Sequence, residues 1–109
     1  MKLFTKAIEK ALVKCPYLSQ DGKGKDAKVI ARFFGGCYTA YILESTEDPD
    51  ILYGVASLGY GFEYGSVSRS ELEKLRLPPF GLPLERDISV EPLKMTLGEC
   101  MNRYRESFM

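Results

Sequence analysis

Histidine is absent from the 109 residues, and so is tryptophan. Without histidine there is no Ser/His/Asp or Cys/His nucleophilic machinery and no His-containing zinc site. Catalysis by this chain would have to run on carboxylates, lysine, tyrosine or cysteine. Only three cysteines occur, Cys15, Cys37 and Cys100, odd in number and far apart. They fit reduced cytoplasmic thiols better than a disulfide framework. No run approaches the roughly 18 apolar residues that a membrane span needs. The first ten residues mix acid and base into their apolar pattern, which is not how a signal peptide reads. Excess charge is also missing: 15 basic and 15 acidic groups cancel. That disfavours a strongly basic nucleic-acid binder.

What is present is an ordinary globular composition, 45% hydrophobic and 28% charged, in a length that makes one domain over residues 1–109. Its densest structural signal is Lys28–Glu44, where two β-branched and aromatic runs flank Gly35-Gly36. A Gly-Gly connection predicts a two-residue hairpin turn, since primed turns need positive φ. Phe34 then faces Cys37 and Phe33 faces Tyr38. Alternation puts Val29, Ala31, Phe33, Tyr38, Ala40 and Ile42 on one apolar face. The opposite face, Ile30, Arg32, Phe34, Cys37, Thr39 and Tyr41, is mixed and suits a helix cover or a groove.

The other elements follow in order. Residues 5–15 predict a helix capped by Thr5 and stopped by Pro16. Gln20–Ala27 is a polar, glycine-containing loop, and Ser45–Asp50 an acidic turn. Ile51–Ser57 and Tyr64–Val67 read as strands, with a glycine–aromatic loop from Gly59 between them. Ser68-x-x-Glu71 and Thr96-x-x-Glu99 are capping-box patterns that start a short middle helix and a C-terminal helix. The latter carries a stripe of Leu97, Cys100, Met101, Tyr104 and Phe108. Leu84–Val90 reads as one more strand, with Leu84, Arg86, Ile88 and Val90 on one face. The expected fold class is α+β: a mainly antiparallel sheet of four or five strands, with an N-terminal helix, a short middle helix and a C-terminal helix. Strands joined by tight turns place the helices on one face of the sheet or at its ends.

Glu85-Arg86-Asp87 is the most chemically suggestive cluster. Carboxylates two apart on a strand project from one face, about 7 Å apart at a rise of about 3.3 Å per residue. Glu85 and Asp87 are therefore the candidate catalytic pair, or candidate ligands of a divalent metal. The plainer reading is a solvated strand face, and it weighs more, because no nucleophile or third ligand stands nearby. Arg86 shares its face with apolar side chains and calls for a carboxylate, with Glu44 and Glu63 as candidates. It is a structural ion pair first and an anion-binding arginine second. Arg32, Tyr41, Glu44 and Arg86 are the candidate binding residues. No metal and no cofactor is called for.

Weaker patterns are better explained by structure. The glycines around Gly59 lack any G-K-[ST] sequel and serve turns. Tyr53, Tyr60, Phe62 and Tyr64 offer stacking surfaces, but lie where acid prevails, which favours protein contact over bases. Cys37 is inert by default. Lys2, Lys6, Lys10 and Lys14 recur every fourth residue and read as a solvated helix face. Charge is nonetheless divided along the chain: residues 1–32 net +5, and residues 33–75, with seven acidic and two basic groups, net −5.

Taken together, M-K-L-F-T-K, C-P-Y-L, V-I-A-R-F-F, Y-T-A-Y-I-L-E, L-Y-G-V-A, E-Y-G-S-V-S-R-S-E-L and G-L-P-L-E-R-D-I-S-V resemble the bacterial domain of unknown function 2958 family, across residues 1–91. Two departures stand out. The family more often has tryptophan-rich sequence at Cys37–Tyr41, and residues 92–109 match little. The resemblance implies a small α+β protein of plasmids, phages and other mobile elements, with no activity attached. It emphasises Arg32, Tyr41, Glu44, Gly54, Gly65, Glu71, Glu85, Arg86 and Asp87. The expectation is a cytoplasmic accessory protein, not an enzyme, that binds another macromolecule, most simply a protein. The alternative is a small ligand-binding domain or carboxylate-based enzyme built on Glu85-Arg86-Asp87. Nucleic-acid binding through the basic first helix is a weaker third. No membrane partner is expected, and oligomeric state is left open.

Overall fold

The hairpin forms, and a sheet grows on both sides of it. In the computed structural model, which describes residues 1–108, β1 (Ala31–Gly35) and β2 (Tyr38–Ser45) pair antiparallel. β3 (Ile51–Ser57) joins β2, and β4 (Glu63–Ser68) joins β3. A two-residue strand, β7 (Glu85–Arg86), closes the other side against β1. The five-stranded order is β4-β3-β2-β1-β7, antiparallel throughout. Between β4 and β7 come α2 (Arg69–Lys74) and a separate small hairpin, β5 (Arg76–Leu77) with β6 (Leu82–Pro83). Helices α1 (Lys6–Lys14) and α3 (Leu97–Arg103) complete the α+β fold.

The turn lies one residue later than expected. Gly35 pairs with Tyr38 and Phe33 with Ala40, so Gly36 and Cys37 make the turn. Gly36 has φ +53° and Cys37 is not in the positive-φ region, the φ pattern of a II′ turn. Because the partners slip by two places, each side chain keeps its expected face. Val29 and Ile30, before the first paired residue, are the exceptions: Val29 packs on the opposite side from Ala31 and Phe33, and Ile30 packs on their side instead of with Tyr41.

Both faces of the sheet are covered, which corrects the expectation of helices on one face or at the ends. Ala31, Phe33, Ile42 and Leu52 pack under α1 and α2 through Ile8, Leu12 and Leu72. Tyr41, Leu43 and Val55 pack under α3 through Leu97, Cys100 and Met101. Each large apolar side chain so buried contributes about 1.5–3 kcal/mol. Thr5 Oγ1 accepts from Ile8 N; of the two capping-box patterns, Thr96 with Glu99 closes reciprocally, whereas at the other only the Ser68 half forms, its Oγ accepting from Glu71 N.

Two expected elements are shorter than foreseen. The strand at Leu84–Val90 is reduced to Glu85–Arg86, because Asp87 turns the chain. Its Oδ1 accepts from the backbone N and the hydroxyl of Ser89, an Asx turn. Leu84 and Val90 consequently sink into opposite cores, and Ile88 is exposed. The C-terminal helix ends at Arg103. Arg105 takes φ +54°, its N–H reaches Asn102 O, and Glu106 N reaches Met101 O. That is a Schellman ending with arginine where glycine is usual.

Gly54 sits where β3 crosses closest to β2. A Cβ there would lie 2.0 Å from the Tyr41 carbonyl oxygen, backbone against backbone. Gly54→Ala is therefore expected to cost about 3 kcal/mol or more, read as a lowered urea midpoint at unchanged slope.

Candidate functional site

The mixed face of the hairpin lies beneath α3 and the segment after it, and its centre is Arg32. The residue is 8% exposed. Nε donates to Tyr41 Oη at 3.1 Å, Nη1 to Asp87 Oδ2 at 3.2 Å and Nη2 to Glu106 Oε2 at 3.2 Å. The guanidinium also stacks 3.7 Å from the ring centroid of Tyr104, with the Phe34 ring 5.2 Å away on β1. Tyr41 donates its hydroxyl to Glu106, and Tyr104 donates to Asp87. One cation is thus shared by two carboxylates, and two tyrosines close the ring of hydrogen bonds.

Three elements set this geometry. Pairing of Arg32 with Tyr41 across β1 and β2 puts both side chains on one face. The Asx turn presents Asp87, whose own N–H reaches Arg32 O at 2.9 Å. The Schellman ending swings Glu106 back over the sheet.

Electrostatics follow from the bonding. Burial works against the Asp87 carboxylate, but the Ser89 and Tyr104 hydrogen bonds and the Arg32 charge outweigh it, and its pKa lies below the usual carboxylate value. For Arg32, burial is outweighed by Tyr41 and Glu106, so its pKa rises. Burial, with the hydrogen bond to Glu106, pushes the Tyr41 phenol far up, and it remains a donor. Beneath α3, burial pushes the Cys100 thiol up to about 11, which makes it a core residue, not a nucleophile.

The sequence candidates divide. Arg32, Tyr41 and Asp87 come together, with Tyr104 and Glu106 as partners the sequence reading missed. Glu85 is exposed on β7. Arg86 pairs with neither Glu44 nor Glu63, which corrects the expected ion pair. Its guanidinium donates to the Lys2 carbonyl and its N–H to the Met1 sulfur at 3.1 Å, so it clamps the N-terminus to the sheet edge. Glu44 is buried at 3% exposure far from this cluster, accepting from Leu18 N at 2.8 Å and Gln20 N at 2.9 Å. Gln20, also missed, ties the same loop by bonds to Lys28 and Leu43 backbone. Glu85 and Asp87 therefore do not share one strand face: Glu85 is exposed on β7, and Asp87 turns in to Arg32. Among the described residues no group of three ligating side chains could hold a metal ion.

Five surface cavities have none of Arg32, Tyr41, Asp87, Tyr104 or Glu106 in their lining, and four of them border β4. Their lining includes Asp21, Glu44, Glu47, Asp48, Glu63 and Glu71, and no lysine or arginine. Among the described residues β4 has a strand neighbour on one side only, and the segment at Ser107–Phe108 pairs with Phe62 just before it. The Arg32 cluster is an internal latch, and the open chemistry is at β4.

A family model described as Protein of unknown function (DUF2958) matches residues 3–105. The chain belongs to that family. No curated protein and no solved structure matches it. The DUF2958 match runs through α3 to Arg105, further than the motifs quoted above reached, and takes in Arg32, Tyr41, Asp87 and Tyr104. No helix is long and apolar enough to cross a membrane.

Removing the shared cation leaves two carboxylates facing each other under α3. Arg32→Met should cost about 3–5 kcal/mol in chemical denaturation. Adding Asp87→Asn and Glu106→Gln to it should recover part of that loss, which a mere packing defect would not allow.

The depressed Asp87 pKa also makes the fold acid-sensitive. The contribution of Asp87 is complete above the unfolded carboxylate pKa of about 3.9, and is lost as pH falls through the lower folded value. Stability measured between about pH 5 and pH 2 should fall less steeply in Asp87→Asn than in the parent.

Proposed function

We propose that this is a protein-binding accessory protein, and that it binds by adding an extended, cationic segment of its partner to the free edge of β4. The observation that carries this reading is the pairing of an unguarded edge strand with acidic hollows along it. Edge strands are usually protected by lysine, proline or a bulge. β4 reads Glu-Tyr-Gly-Ser-Val-Ser and has none of these. Gly65, at its centre, has nothing within 4 Å of where a Cβ would stand, so the sheet face beside the edge is open at that point. Main-chain hydrogen bonds would supply affinity, and the flanking hollows specificity.

Apolar contact is available beside the strand. Leu58 and Tyr60 are 62% and 85% exposed, next to a trough of about 600 Å³ that runs past Tyr38, Gly65 and Val67. The six carboxylates around β4 select a basic partner and repel an acidic one, nucleic acid included. The Lys6, Lys10 and Lys14 side of α1 is a contrary surface, and its hollow holds Glu91 beside Lys10, Lys14 and Lys94. The setting we propose is the bacterial cytoplasm, in or beside a mobile element. Three free thiols and the motifs shared with the family support it.

Selection from a random-peptide display library tests this. Retained peptides should alternate β-branched or aromatic with basic residues, protect β4 amides from exchange, and lose at least about tenfold in affinity on Gly65→Lys. Space at Gly65 lets that variant fold. Peptides that bind Gly65→Lys as tightly as the parent, or protect amides elsewhere, would overturn the reading.

A further inference from the structure

On the α3 side of β4 lies a cavity of about 340 Å³, walled by Tyr53 and Tyr64 and floored by the Gln20–Gly24 loop and Glu44. We infer that this cavity is a cation subsite that takes the ammonium or guanidinium group of a lysine or arginine side chain. The inference deepens the strand-docking reading and rests on it for the source of the cation.

Glu44 is the first reason. Its carboxylate is buried, and its two oxygens accept one backbone N–H each, from Leu18 and Gln20. Among the described residues it forms no salt bridge. Buried charges are ordinarily paired, because neutral donors alone do not replace the water lost. Each carboxylate oxygen has two acceptor sites, so each retains one. The loop's Asp21, exposed and lining the same cavity, adds a second negative charge.

The walls are the second reason. Tyr53 and Tyr64 stack with their centroids 6.3 Å apart and planes 16° from parallel, and Tyr64 continues the stack onto Phe108 at 5.3 Å. Aromatic faces attract cations. This stack already does so within the chain, with Lys25 Nζ 5.9 Å from the Phe108 centroid. The stack covers Tyr64 on both faces, whereas Tyr53, which also lines the cavity, is covered by it on one.

Strand register is the third. Tyr64 pairs with Val55 and Val55 with Tyr41, so Tyr64 lies on the face that packs under α3. Side chains of an added strand alternate between faces. A docked segment would therefore deliver every second side chain toward this cavity, and the intervening ones toward the Tyr38–Val67 trough. The recognised pattern is basic and apolar in alternation.

Titration of the whole chain with Nα-acetyl-lysine methylamide, followed by NMR, tests the cavity without any peptide. Nα-acetyl-norleucine methylamide, the same straight hydrocarbon chain without the terminal ammonium, is the control. Shifts are expected at Tyr53, Tyr64 and Gly22, with the norleucine probe binding at least about tenfold more weakly. Asp21→Asn should weaken the lysine probe several-fold, and Tyr53→Leu about tenfold. Glu44→Gln is avoided as sole evidence, because it disturbs the Leu18 and Gln20 caps. Equal binding of the two probes, or shifts at α1 instead, overturns the subsite. Selected peptides that need an open Gly65 edge but tolerate lysine-to-norleucine replacement overturn the subsite and leave strand docking standing. A lysine probe that occupies the cavity while no peptide protects β4 supports the subsite and overturns strand docking.

Discussion

Arg32 ties together parts of the chain that lie far apart in sequence. Its guanidinium joins β1, the turn at Asp87 and the segment at Glu106, residues separated by up to 74 positions. Closing such loops costs chain entropy that only a strong contact offsets. A guanidinium shared by two carboxylates and stacked on Tyr104 is such a contact, and burial strengthens it by excluding water. The α3 side of the sheet depends on it: Tyr41, which is fully buried, needs Glu106 for its hydroxyl. Among the described residues no buried side-chain polar atom lacks a partner, so the cluster is fully satisfied from within the chain.

The fold spends its strongest interactions on the centre and the β7 side of the sheet. β7 is covered by the Met1 and Lys2 contacts to Arg86, whereas β4, on the opposite side, keeps one row of backbone groups unpaired. Residue 62, just before β4, already pairs with the C-terminal segment, since Phe62 N reaches Ser107 O and Phe62 bridges Phe108. Strand pairing at that end is therefore something the chain itself begins. Sequence acidity from residue 33 to 75 becomes spatial acidity because β3, β4 and α2 are neighbours. A charge imbalance visible only as a count becomes a set of hollows lined by carboxylates.

Much of the site was legible piecemeal. Arg32 and Tyr41 follow from alternation in a hairpin, and a two-place slip in register could not move them off their face. Asp87 was visible as a carboxylate, but in the wrong role. An ideal strand would have carried it beside Glu85; its side chain instead captures Ser89 and ends the strand. Glu106 left no mark, because the chain reverses at Arg105 in a conformation that glycine normally announces. Glu44 was singled out, yet its work is to hold the 18–20 loop, a contact across more than 20 positions that no spacing rule encodes.

Local chemistry alone determined the hairpin, the helix caps, the α+β class and which side chains share a strand face. These depend on φ preferences, side-chain oxygens near helix starts and the two-residue period of a strand, all of which act over a few residues. Tertiary structure decided the rest: that helices cover both faces, that Arg32 rather than Arg86 takes the carboxylates, and that β4 is the edge left open. Those outcomes depend on which distant surfaces exclude water together, and burial is a property of the assembled chain, not of any segment within it.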